Sequence, residues 1–102
     1  MNKYHAVRTY SLLCQRYFAS KHEAARGEDL RLCELAGEIE DLEYQIPFVL
    51  CEKPRIKVTI DFKYKEKGEI IHEDAKGVLT RDSRTRYAWL KEKHCIEVKL
   101  YR

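Results

Sequence analysis

Between Ile56 and Tyr64 an apolar side chain falls on every second position, with Ile56, Val58, Ile60, Phe62 and Tyr64 alternating with Lys57, Thr59, Asp61 and Lys63. Alternation with a period of two marks a strand that buries one face and turns the other to water. This part of the chain is therefore committed to a sheet, with Asp61 on the polar face. The run Glu69-Ile70-Ile71-His72-Glu73-Asp74-Ala75-Lys76 reads as a second strand, and Lys67-Gly68 between the two suits a two-residue hairpin turn. With those two residues as the whole loop, Glu66 faces Glu69 and Tyr64 faces Ile71. Continuing the count, Asp61 faces Asp74 and Thr59 faces Lys76, and Asp74 and Lys76 share a face with Asp61.

Opposed residues of an antiparallel pair hold their Cβ atoms roughly 4.5–5.5 Å apart, and like charges at that distance destabilise a sheet. A divalent cation offsets the repulsion. Mg²⁺ is commonly held by one or two carboxylates, keeps several waters and takes further ligands from substrate phosphate. An ammonium two residues along the same face, that of Lys76, would point at the same phosphate. A bulge or an odd-length loop would shift the register and separate the two aspartates.

A chain of 102 residues makes one domain, 1–102, in which residues 1–17 read as an N-terminal extension of uncertain structure. No stretch approaches the roughly 18 apolar residues of a membrane span. Met1-Asn2-Lys3-Tyr4-His5 lacks the apolar segment of a secretory leader, so a soluble, cytoplasmic protein is expected. Cys14, Cys33, Cys51 and Cys95 form no Cys-x-x-Cys pair, which argues against a zinc knuckle and for reduced, mostly buried thiols. The net charge of +3 hides a pattern: residues 1–22 hold four basic and no acidic side chains, 23–52 two basic and nine acidic, 53–102 fourteen basic and eight acidic. The C-terminal half can present a basic surface to nucleic acid through Lys57, Lys63, Lys65, Lys67, Arg81, Arg84, Arg86, Lys91 and Lys93; the plainer reading is that these charges solvate exposed faces.

Ser20-Lys21-His22-Glu23 is a capping box, Ala25, Leu32, Leu35 and Ala36 follow at helical spacing, and Gly37 stands at a C-terminal cap, so a helix is predicted over about residues 21–36. Glu38 to Glu43 reads as an acidic connector. Gln45 to Cys51 reads as a strand that Pro47 confines to an edge or an irregular start. Thr80 to Ser83 opens a helix over about 83–94, and Ile96, Val98 and Leu100 alternate in a last strand. Residues 1–19 suit either a helix or extended chain. The predicted order is αβββαβ, an α/β fold with a central mixed sheet flanked by helices.

That order resembles the PD-(D/E)xK nuclease superfamily, which includes type II restriction enzymes and archaeal-type Holliday-junction resolvases. The blocks Phe18-Ala19-Ser20-Lys21-His22-Glu23-Ala24, Ala36-Gly37-Glu38-Ile39, Asp41-Leu42-Glu43-Tyr44-Gln45, Ile60-Asp61-Phe62-Lys63-Tyr64 and Glu73-Asp74-Ala75-Lys76-Gly77, with Thr80 just beyond, look like small phage and prophage nucleases of that superfamily. The likeness runs from about Phe18 to the C-terminus and departs from the motif at Ile60, which stands where the name-giving proline would be. It implies a restriction-endonuclease-like core and a Mg²⁺- or Mn²⁺-dependent DNA endonuclease acting on branched or recombination-intermediate DNA. Asp61 and Asp74, the Ala75 carbonyl and Glu23 would hold the metal. Lys76 would activate water and stabilise charge on the phosphate. A homodimer is implied, and, for a phage-encoded chain, the cytoplasm of a bacterial host.

Each residue also has a plainer role. Glu23 at the third helical position is equally suited to cap the helix. Gln45 at a strand start suits a backbone hydrogen bond, and second a supporting contact to the metal ligands. Glu73 points away from Asp74 by alternation. His72 and His94 read as surface or helix-end residues, with His72 the nearer to the site, and Tyr87 and Trp89 read as core. Gly27, one turn beyond Glu23, signals close approach of another backbone. Two rival functions remain open: a nucleic-acid-binding module without turnover, and a subunit of a phage assembly.

Overall fold

The computed structural model describes residues 6–76 and 78–102; residues 1–5, and Gly77 of the Asp-x-Lys block, lie outside the described residues. The chain forms a mixed α/β domain. A short hairpin, β1 (Thr9–Ser11) and β2 (Arg16–Phe18), precedes helix α1 (Lys21–Leu35), and then come β3 (Glu40–Cys51), β4 (Ile56–Glu66), β5 (Glu69–Ala75), helix α2 (Arg81–His94) and β6 (Val98–Tyr101). The four later strands make one sheet in the order β3-β4-β5-β6, antiparallel except for the parallel β5–β6 pair, while β1 and β2 form a separate two-stranded sheet.

The hairpin register follows from the turn. Lys67 and Gly68 both take positive φ, 51° and 81°, as a two-residue turn with the twist of its strands requires. Glu66 pairs with Glu69, Tyr64 with Ile71 and Phe62 with Glu73. There is no bulge in these pairs, so Glu73 lies on the opposite face from Asp74.

The ends of α1 are set by local chemistry. Ser20 Oγ accepts the Glu23 N–H at 3.0 Å, and at the other end the Gly37 N–H donates to the Glu34 carbonyl and the Glu38 N–H to the Cys33 carbonyl. That double bond is a Schellman motif, and it needs the left-handed residue that Gly37 supplies at φ 80°. Thr80 caps α2 through the Ser83 N–H.

Two apolar clusters hold the layers together. Phe18, Ala24, Leu30, Ile39, Phe62 and Tyr64 pack beneath α1. Leu50, Val58, Ile60 and Leu90 pack beneath α2, joined by Tyr87 and Trp89. The periodicity of β4 thus feeds both clusters.

Three expectations need correction. The acidic stretch Glu38–Glu43 is no connector: β3 begins at Glu40, with a register shift between Glu40 and Glu43. An edge strand leaves alternate positions in water, so its carboxylates cost little while Leu42 packs on the first cluster. Residues 9–18, left open between helix and extended chain, form a hairpin, with Gln15 at φ 55° in its turn. The cysteines are free, but three are half-buried and Cys95 is exposed.

Gly27 is explained by side chains rather than by a second backbone. A Cβ there would stand 2.7 Å from Phe18 Cζ and 3.3 Å from Phe62 Cε1. Both rings are buried, so they cannot swing into solvent. Alanine gains about 1 kcal/mol in helix propensity, but overpacking a filled core typically costs about 1–3 kcal/mol. Gly27→Ala is therefore expected to lower stability by about 1 kcal/mol, read as a fall in the urea midpoint at unchanged slope; a rise in the midpoint would show that the rings yield.

Candidate active site

The β4–β5 ladder ends at Phe62 and Glu73, and there the two strands fork. β4 goes on beside β3, with Ile60 on Ile46 and Thr59 on Pro47. β5 turns to β6, with Asp74 on Leu100 and Ala75 on Tyr101, and the Lys76 N–H bonds the Tyr101 carbonyl at 3.0 Å. In the fork, side chains replace the missing ladder bonds. The Asp61 N–H donates to Asp74 Oδ1 at 2.7 Å, and the Ala75 N–H donates to Asp61 Oδ2 at 3.0 Å. Asp74 thus holds the backbone of Asp61 and Asp61 that of Ala75, and Asp74 is only 2 % exposed. Asp61 was expected on a solvated face; in the fork it is half-buried.

Three further elements close on the pair. Glu23, in the first turn of α1, is 5 % exposed. Gln45 of β3, held at φ 54°, donates through Nε2 to Glu23 Oε2 at 2.9 Å and reaches Asp61 Oδ1 at 3.4 Å. Gln45 therefore does link the carboxylates, rather than only a strand start. Glu23 leaves half of its capping box unmade: Ser20 accepts its N–H, but its carboxylate turns to Gln45. From α2, the Tyr87 hydroxyl donates to Asp74 Oδ2 in a short hydrogen bond. Reading Tyr87 as core was right for the ring and missed the hydroxyl. A tyrosine about two helical turns after the Thr80 cap, on a helix due to pack over Asp74, was the only available signal.

The electrostatics are those of crowded carboxylates. Burial, then the charges of Asp74 and Glu23, push the Asp61 carboxyl up to about 8, against smaller opposing effects of the Ala75 N–H and Lys76. Glu23 is raised by burial and then by Asp74, with Arg16 and Lys76 acting the other way. The Tyr87 phenol is raised by burial and by its bond to Asp74. Among the described residues neither aspartate has an ion-pair partner.

A stability consequence follows with a definite sign. The folded protein binds the Asp61 proton more tightly than the unfolded chain, whose aspartates titrate near about 4. The associated stability is present below about pH 4 and is lost as pH rises toward about 8. Metal-free protein is therefore expected to melt progressively lower from pH 5 to pH 8, and Asp61→Asn to flatten that slope; an unchanged slope in the variant would remove Asp61 as its source.

Lys76 and Asp74 line one cleft of about 220 Å³ with Thr59, Ser83, Arg86 and Tyr87. Arg86, a sequence-predicted nucleic-acid contact, thus borders the carboxylates, while bonding Asp82 and the Lys57 carbonyl. Arg81 and Arg84 lie in the first turn of the same helix. Lys63 and Lys91 are engaged elsewhere, by Glu43 at 3.7 Å and Glu97 at 2.7 Å. His72 lies against the Phe48 ring at 5.7 Å, its pKa lowered by burial, and His94 sits beside the Val49 carbonyl at 3.1 Å. Neither imidazole enters the fork.

Among the described residues no three His, Cys, Asp or Glu side chains close around a common metal position. The donor set fits a cation that needs fewer: Mg²⁺ takes hard oxygen ligands and is often held by one or two carboxylates, with water and phosphate completing its shell. Asp61 and Asp74 supply such oxygens, and their mutual repulsion is what a cation would relieve.

The fold and the site together define a small mixed α/β domain built around an interlocked carboxylate pair, Asp74 buried and Asp61 half-buried, with a lysine beside it. The chain belongs to the family DUF1064, described as proteins of unknown function, whose model matches residues 1–101. No curated protein and no solved structure matches it. No helix among the described residues is long and apolar enough to cross a membrane.

Proposed function

We propose that this chain is a divalent-metal-dependent DNA endonuclease with a restriction-endonuclease-like core, formed by α1, β3, β4, β5, α2 and β6. The observation that carries the reading is the interlocked Asp61–Asp74 pair, with Asp74 buried and Asp61 half-buried, Lys76 two residues along and Glu23 brought in from α1. Buried like charges are retained at a cost, and such clusters concentrate where chemistry needs them. Asp61, Asp74 and the Ala75 carbonyl would hold Mg²⁺ or Mn²⁺, with Glu23 reaching it from the helix. Bound there, the metal would supply Lewis acidity toward a phosphodiester and a more acidic water.

The remaining roles fall to the chain's own groups. Lys76 places a positive charge where the phosphate would gain negative charge. Gln45 fixes Glu23 relative to Asp61, and Tyr87 fixes Asp74, so the carboxylates need no rearrangement before they bind an ion. Arg81, Arg84 and Arg86 at the start of α2 would lie along the phosphate backbone beside the cleft. The product is a nicked or cleaved DNA strand. Paired cuts on branched DNA would require two copies, so a homodimer is proposed with the activity.

The test is cleavage of labelled duplex and branched DNA in Mg²⁺, in Mn²⁺ and in chelator, beside thermal melts in the same buffers. Cleavage should require the metal. Mg²⁺ should raise the melting temperature more at pH 8, where the aspartates repel, than at pH 5. DNA binding with neither cleavage nor metal stabilisation would instead favour a binding module without turnover.

A further inference from the structure

The β1–β2 hairpin carries large side chains that the fold leaves in water: Tyr10 is 48 %, Tyr17 54 % and Leu12 83 % exposed. Tyr10 and Tyr17 are cross-strand partners whose rings meet edge to face at 4.9 Å, and the Arg8 guanidinium sits 4.0 Å over the Tyr17 ring. The hairpin is anchored as a unit. Buried Ser11 donates to Glu28 at 2.6 Å, and Phe18 enters the core beneath α1. Exposed apolar patches on an anchored element mark interaction surfaces.

The charge around the rings selects the partner. Residues 1–22 contain no acidic side chain. The carboxylates of α1 nearest the hairpin are already engaged, Glu28 by Ser11 and Glu34 by Arg31 and the Leu42 N–H. Arg16 of β2 stacks over Tyr44 at 4.4 Å, its Nε is buried without a hydrogen-bond partner, and it enters no ion pair among the described residues. Arg16 pairs with Ser11 on the inner face of the hairpin, away from the tyrosine rings, and its strand runs directly into Ser20, whose hydroxyl holds the Glu23 N–H, so the hairpin adjoins the carboxylate site. Two exposed planar rings with the Arg8 guanidinium on the same face suit the faces and phosphates of unstacked nucleotides.

We propose that the β1–β2 hairpin holds single-stranded DNA beside the carboxylate site, with bases stacked on Tyr10 and Tyr17 and the phosphate backbone contacted by Arg8. The placement rests on the nuclease reading above and makes the substrate DNA with an unpaired segment rather than uninterrupted duplex.

The experiment is fluorescence anisotropy in chelator, where no cleavage occurs, with a labelled oligothymidylate and a blunt duplex of equal length. Wild-type protein should prefer the oligothymidylate. The double variant Tyr10→Leu with Tyr17→Leu keeps an apolar cross-strand pair but no planar face, and should bind oligothymidylate about ten-fold more weakly while its duplex affinity holds. Tyr10→Phe with Tyr17→Phe should bind like wild type. The proposal is overturned if the leucine variant keeps its oligothymidylate affinity, if it loses both ligands equally, or if the phenylalanine variant fails as well. Hairpin-dependent binding without cleavage in Mg²⁺ would sink the nuclease reading and leave this one standing.

Discussion

Replacing Asp74 with asparagine is expected to reduce metal-dependent DNA cleavage on the order of 10³-fold while leaving the fold intact. The size follows from losing a charged metal ligand, whose contribution to stabilising charge in the transition state is several kcal/mol, or about three decades in rate. The fold should survive because asparagine is isosteric. Its carbonyl oxygen still accepts the Asp61 N–H, and its amide can donate to the Tyr87 hydroxyl in place of the bond that Tyr87 now makes to Asp74. Removing one of two adjacent negative charges also relieves Asp61, so the melting temperature of the metal-free variant at pH 8 should be no lower than that of wild type. Lys76→Ala is expected to cost about 10²-fold in cleavage with DNA binding nearly unchanged, since it removes one electrostatic contact at the reacting phosphate. Cleavage by the Asp74→Asn protein at more than a tenth of the wild-type rate would place the chemistry elsewhere.

How much of this was legible in the residues depended on distance along the chain. The Lys67-Gly68 turn fixes a register over the residues that follow it, so the approach of Asp61 to Asp74 could be counted out from one hairpin. The burial of Asp74 could not. It depends on β5 leaving β4 for β6, some 25 residues downstream, on the same parallel pairing that joins Asp74 to Leu100. Local alternation says which face a residue takes; it is silent on what later covers that face. Gln45 shows the same limit, because its contact with Glu23 needs the positive φ it adopts in β3, and nothing in Tyr44-Gln45-Ile46 announces one. At the N-terminus, Tyr10, Leu13, Cys14, Tyr17 and Phe18 satisfied a helical spacing as well as a strand pairing. The choice was made by Phe18 entering the α1 cluster and by Ser11 reaching Glu28. The three arginines at the start of α2 were legible as charge, but only the packing of that helix against the fork brings Arg86 to the cleft of Asp74 and Lys76.

Removing the carboxylate next in sequence should unfold the protein rather than silence it. Glu73 is 0 % exposed, and the β5 alternation that sends Asp74 into the site sends Glu73 under α1. There it accepts two hydrogen bonds from Arg26, at 2.6 and 3.0 Å, and one from the Tyr64 hydroxyl at 2.7 Å. The Arg26 guanidinium in turn lies 4.3 Å over the Tyr101 ring. A buried, multiply hydrogen-bonded pair contributes little net stability over an apolar replacement, but breaking it by deleting one partner strands the other charge and costs about 3–5 kcal/mol. Arg26→Ala and Glu73→Ala are each expected to lower the melting temperature by about 15–25 °C, at roughly 4–8 °C per kcal/mol for a chain of this size. The double variant Arg26→Met with Glu73→Leu should recover most of that loss, because no charge is left without its partner. Arg26 and Glu23 are three residues apart on one face of α1, so the Arg26–Glu73 bond also sets how far Glu23 stands from Asp74. The double variant should therefore fold yet cleave poorly, with weaker stabilisation by Mg²⁺. Wild-type cleavage in a stable double variant would show that helix packing alone places Glu23, and thermal melts beside the cleavage assay separate these outcomes.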